Sequence, residues 1–105
     1  MPFESTASAV PTVLAEDDHT KITRWDFAPG ATTGWHEHEM DYAVVILTDS
    51  IMAYEADGEV TEKPVKIGDS YLRPKGVQHD VRNAGPGPLS FIEIEMKRAA
   101  NTLEE

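Results

Sequence analysis

The chain contains no cysteine. Disulfide bridges and a thiol nucleophile are therefore excluded. Basic residues are also scarce: nine lysines and arginines stand against 19 acidic residues, for a net charge of −10. A surface of that sign repels phosphate backbones, so nucleic acid is not expected as a partner. Its simplest physical meaning is a soluble, self-repelling surface. No apolar run approaches the length of a membrane span, and no membrane partner is expected. The opening residues MPFESTASAV have neither a basic start nor a long apolar stretch, so they do not read as a signal peptide. The expected location is cytoplasmic. There is no phosphate-cradling glycine loop, no G-x-S-x-G elbow and no basic patch interleaved with aromatics.

What is present is β-structure. At 105 residues, 40% of them hydrophobic, the chain has room for one domain and one core. Residues 1–19 read as an N-terminal arm with an edge strand near Thr12–Leu14. Trp25 and Phe27 lie two apart, as a half-buried strand places them. Tyr42 to Thr48 is a short apolar run rich in β-branched residues, consistent with a buried strand. Ile51–Ala56 and Glu59–Ile67 flank Asp57-Gly58, a strong hairpin signal. Pro64 marks the returning strand as an edge. Ser70–Arg73, His79–Asn83 and Leu89–Met96 complete the pattern. In the last, Leu89, Phe91, Glu93 and Glu95 share one face. About eight short strands separated by turn residues predict an all-β barrel or sandwich over residues 20–97. Residues 98–105 read as a C-terminal tail.

Two blocks carry chemistry. Residues 68–83, GDSYLRPKGVQHDVRN, place Gly68, Pro74, Gly76, His79 and Asn83 in the order G-x5-P-x-G-x2-H-x3-N. At average residue usage such a match arises by chance roughly once in 10⁷ starting points. Upstream, Gly30 is followed by His36 and His38 in PGATTGWHEH. Side chains two apart on a strand share a face, so both histidines can enter the interior. His79, on a later strand, can come in from across. The blocks use three of the four histidines. Imidazole suits Fe, Zn, Ni and other divalent transition metals, and three such ligands leave positions open. The fourth, His19, lies in the acidic run EDDHT and reads as a solvated loop residue.

These blocks resemble those of the cupin family, over about residues 20–97. The resemblance implies a small antiparallel barrel of jelly-roll or double-stranded β-helix type with a metal (Fe, Zn, Ni or Mn) held inside by His36, His38 and His79. The stretch HEHEMDYAVVILTD is further similar to a subgroup of very small cupins, some linked to β-alanine breakdown. The second family block is complete. The first departs from the pattern: the position of its glutamate falls on Tyr42, or on Ala43 with one more residue between, and its closing glycine falls on Asp49 or Ser50.

That departure bears on function. Three neutral imidazoles leave a divalent metal with two positive charges, favouring an anionic or chelating ligand. Tyr42 is read as a catalytic residue, a phenol donor that orients a substrate or a bound water. Asp41 is one residue out of register for a ligand, and Glu39 falls in a turn. Glu93, Glu95 and Gln78 are candidates to receive the second N–H of a ligating histidine. Arg24, Arg73 and Arg82 are candidates to pair with a substrate carboxylate.

Two functional readings follow. One is a metal-dependent cupin acting on a small polar, carboxylated molecule. Fe(II) would imply dioxygenase-type chemistry, and Zn, Ni or Mn Lewis-acid work. The other is a module that captures a small molecule or a metal without turnover. A metal-free sugar-nucleotide epimerase of related barrel fold is disfavoured by the low count of basic residues. A homodimer is expected, since barrels this small often cover an open edge by pairing. Trp35, between Gly34 and His36, is expected to face away from the site and to mark the contact if left uncovered.

Overall fold

The computed structural model describes residues 7–97. Nine strands are found among them: β1 Val10–Glu16, β2 Thr20–Phe27, β3 His36–Glu37, β4 Asp41–Ile46, β5 Ser50–Ala56, β6 Glu59–Val65, β7 Ser70–Arg73, β8 Gln78–Asn83 and β9 Leu89–Met96. They form two sheets, one of five strands in the order β1-β2-β9-β4-β7 and one of four in the order β3-β8-β5-β6. Every named pairing is antiparallel. This is the all-β jelly-roll arrangement expected. The expected tail at residues 98–105 lies outside the described residues.

The turn chemistry explains where strands end. Asp57 and Gly58 both adopt positive φ, 54° and 79°, which is what a two-residue hairpin between β5 and β6 requires. Strand β6, carrying Pro64, lies on the edge of its sheet. β1 is longer than Thr12–Leu14 and pairs with β2 through a register shift between Val13 and Ala15.

Alternation determines what faces inward. β9 sits between β2 and β4 in register: Trp25 opposes Phe91, Val44 opposes Glu93, and Tyr42 opposes Glu95. Phe27, Ile46 and Leu89 are fully buried and close one end of the interior. Asn83 seals that end. Its amide N–H groups donate to the carbonyls of Phe27 (3.1 Å) and Gly87 (2.8 Å). Its Oδ1 accepts from the Gly85 N–H (3.0 Å) and the Ser50 hydroxyl (3.2 Å). A Cβ on Gly85 would lie 2.9 Å from the Ser50 hydroxyl oxygen and 3.1 Å from the Ile51 nitrogen, so a larger residue would crowd that turn. The other end opens into a cavity of about 430 Å³.

Candidate metal centre

The three histidines meet at the open end of this cavity. His36 on β3 stands directly opposite His79 on β8. His79 thus arrives from the neighbouring strand, not from across the interior. β3 ends at Glu37, yet His38 still enters the site, because its backbone is clasped by the turn of the second block. His38 N–H donates to the Val77 carbonyl (2.9 Å), and the His38 carbonyl accepts from Gly76 N–H (2.7 Å). Gly76 has φ 96°, a conformation that a side chain would strain. Asp41 caps the same turn by accepting the Lys75 N–H at 2.8 Å. The Pro74–Gly76 turn therefore serves the first block's histidine as well as its own.

His36 Nε2 lies 3.0 Å from His38 Nε2, and His38 Nε2 lies 3.0 Å from His79 Nε2. The cluster can coordinate a metal. The donor set also fits one chemically. His36 Nδ1 lies 2.8 Å from the Gly34 carbonyl, which can only accept, so Nδ1 is the donor there and the tautomer this contact selects leaves Nε2 as the ligating nitrogen. Burial, with the neighbouring His36 adding to it, lowers the pKa of His38 from 6.5 to about 4. Burial lowers His79 to about 3, helped by His36, His38 and Arg73. Neutral rings with converging nitrogens are what a cation between them needs.

Tyr42 is 2% exposed and lines the cavity. Its ring stacks on His38, with centroids 3.9 Å apart and planes at 20°. Its hydroxyl is buried and has no hydrogen-bond partner among the described residues. Burial, reinforced by Tyr71 and Glu93, pushes its pKa up, so it remains a neutral donor. Such an orphan phenol at the wall of a cavity is a ready partner for a ligand acceptor.

Of the three candidates for receiving a histidine proton, Glu93 reaches a ring. Its Oε2 lies 3.7 Å from His38 Nδ1, and its Oε1 accepts the Trp25 indole N–H at 3.2 Å. Burial raises its pKa from 4.5 to about 7, partly opposed by the Trp25 bond. With His38 neutral this contact is not an ion pair. Glu95 lines the cavity further along β9, and Gln78 is exposed. The carboxyl group nearest the histidines thus comes from β9 and faces the outer nitrogen of His38.

The remaining candidates lie elsewhere. Glu39 is exposed between β3 and β4, and His19 is exposed next to β2. Arg24 pairs with Asp26 at 3.1 Å on the outer surface, and Arg73 stacks over Tyr71. Among the described residues, Lys21 is the one lysine or arginine that lines the cavity. Trp35 is 45% exposed and does not line the histidines' cavity. Sequence reasoning did not single out Thr33, whose hydroxyl lies 3.2 Å from His36 Nδ1 and accepts Val81 N–H. No residue pattern distinguishes such a threonine. Trp25, expected on a half-buried strand, also anchors Glu93.

Two facing antiparallel sheets with three histidines converging at the open end define a cupin-type β-sandwich. The cupin domain family model matches residues 23–95, and the chain belongs to that family. It is 43% identical over 89 residues to the beta-alanine degradation protein BauB of Pseudomonas aeruginosa, covering 85% of this chain and 94% of that one. A germin-like protein 1-2 of Oryza sativa subsp. japonica is 32% identical over 76 residues, 70% of this chain but only 34% of that longer protein. The crystal structure of a cupin domain from Bordetella pertussis Tohama I superposes with a TM-score of 0.85 at 38% identity. That match covers 91% of this chain and all of the other.

Proposed function

We propose that His36, His38 and His79 hold a divalent transition metal, and that the cavity above it binds a small polar molecule. The observation that carries this reading is the convergence of three imidazole Nε2 atoms, with His38 Nε2 3.0 Å from each of the other two, at the open end of the cavity. A bound metal would supply Lewis acidity and, as Fe(II), the capacity for dioxygenase-type chemistry. The chain's own residues do the rest. Val44, Met52, Val81 and Phe91 give apolar walls that exclude water. The Tyr42 hydroxyl offers a donor to a ligand acceptor. With no arginine on the cavity wall among the described residues, a ligand carboxylate would be met by the metal, Tyr42 and Lys21. The likeness to a protein of β-alanine degradation favours a small carboxylic acid or a compound one step from it.

The test is elemental analysis of protein purified without chelator, followed by oxygen uptake with the Fe(II)-loaded chain across small carboxylic acids. Metal at about one per chain with turnover supports the enzyme. Metal with a saturable thermal shift from one acid and no turnover supports a binding module instead. No metal uptake from Fe(II), Ni(II), Mn(II) or Zn(II) would sink both.

Homodimerisation is part of the same reading. Strand β1 forms one edge of the five-stranded sheet and is exposed along its whole length. Val10, Val13 and Leu14 are each more than half exposed. An exposed apolar edge strand is a template for pairing with a second copy. Light scattering on the intact chain should give a dimer, and Leu14→Glu a monomer. A monomeric parent would refute the contact. A cytoplasmic location belongs to the reading and rests on composition. No helix among the described residues is long and apolar enough to cross a membrane.

A further inference from the structure

His36 and His38 differ in what holds the ring nitrogen that faces away from the site. For His36 it is the Gly34 carbonyl, a partner within its own loop. For His38 it is a carboxyl group from the opposite sheet, Glu93 on β9. Glu93 is 8% exposed and lies in register between Thr23 on β2 and Val44 on β4. Its inward-facing neighbour on the closed side is Phe91. An apolar residue would fill this place at lower cost, because a buried carboxyl group needs polar partners. The two partners it has are the Trp25 indole N–H, at 3.2 Å, and the His38 ring, at 3.7 Å. The first fixes where the carboxyl group sits. The second is longer than a hydrogen bond, a polar contact that faces the carboxyl oxygen toward the ring nitrogen.

We propose that Glu93 is a positioning residue for the three-histidine site: anchored by Trp25, it accepts a hydrogen bond from the Nδ1–H of His38, holding the tautomer in which the Nε2 lone pair is aimed at the point shared with His36 and His79. This rests on the reading of the histidines as metal ligands. It places the carboxyl group of the site on β9 and not on β4, where Tyr42 stands. It also assigns Trp25 a role that its packing alone does not require.

Co²⁺ titration of the whole chain, followed by visible absorption and chelator competition, tests this. Glu93→Leu should weaken Co²⁺ binding by about 10- to 100-fold. Glu93→Gln, of the same shape, should weaken it less, because its amide oxygen can still accept from His38 Nδ1. The band positions should stay where they are in both. His36→Ala, the control for the ligand reading, should lose binding altogether. Unchanged affinity in both Glu93 variants, with binding lost in His36→Ala, would overturn the role of Glu93 and leave the ligand assignment standing. A shift of the bands would make Glu93 a direct ligand and also overturn the positioning role. A lower melting temperature of the metal-free variants with unaltered affinity would reduce Glu93 to a structural residue. Full Co²⁺ binding by His36→Ala would bring down the ligand reading and this inference together.

Discussion

The two ends of the interior are built by the same strands with the same alternation, yet they differ in kind. Running from the closed end to the open one, the inward positions read Leu89, Phe91, Glu93, Glu95 on β9, Phe27, Trp25, Thr23, Lys21 on β2, and Ile46, Val44, Tyr42 on β4. In each strand the residues pass from large and apolar to polar or titratable. Strand geometry sets which residues face inward, while residue identity decides what each level of the interior does. The closed end is a packed core stitched by Asn83, and stability resides there. The open end concentrates three histidines, the carboxyl groups of Glu93 and Glu95 and an unpartnered phenol, a combination that packing alone does not explain.

Substitutions at either end can break this division of labour. The largest effect expected is at the open end. His36→Ala combined with His79→Ala should abolish stoichiometric metal binding while the metal-free chain still folds cooperatively, as measured by elemental analysis and circular dichroism. Retained metal would remove the distinction between the ends. Phe27→Ala at the closed end should do the reverse, costing about 3–5 kcal/mol in denaturant unfolding and leaving the metal-to-chain ratio of the folded fraction unaltered.

A subtler test uses pH on the metal-free protein. Burial holds His38 near 4 and His79 near 3, below their ordinary 6.5. The unfolded chain therefore takes up these protons first, so the stability contributed is present above pH 6.5 and lost as the pH falls through 4 and 3. Glu93 acts in the opposite sense. Its pKa is raised from 4.5 to about 7, so its contribution is present below 4.5 and lost as the pH rises through 7. Glu93→Gln should remove that second loss. Its melting temperature relative to the parent should climb between pH 4.5 and 7. A flat difference would show that Glu93 is not held in the low-dielectric part of the cavity. The smallest effect is expected from Asp41→Ala, which removes the cap on the Pro74–Gly76 turn. It should cost about 1 kcal/mol and leave metal content intact, whereas loss of metal would make Asp41 part of the site.

Much of the fold was legible because its signals are local. Asp57-Gly58 adopts the positive φ its residue types favour, Pro64 marks an edge strand, and Leu89 to Met96 alternates as written. The candidate cluster was legible for a different reason. The glycines, proline and asparagine around His79 each hold a particular backbone position, so their spacing is constrained. Glu93 could be named only as one of three candidates, because parity shows which residues share a face but not which face is inward. The arginines suggested as carboxylate partners carry no such constraint. Arg24 turned outward to Asp26, and Arg73 stacked on Tyr71.

The sequence by itself determined the all-β class, the two blocks and the identity of the three histidines. All of these follow from residue types acting over a few neighbouring positions. The tertiary structure decided the rest. It set His36 beside His79, clasped His38 with a turn from another part of the chain, and brought Glu93 from β9 to the outer nitrogen of the His38 ring. These contacts join residues roughly forty or more positions apart, and only the pairing of strands across two sheets determines which of them meet.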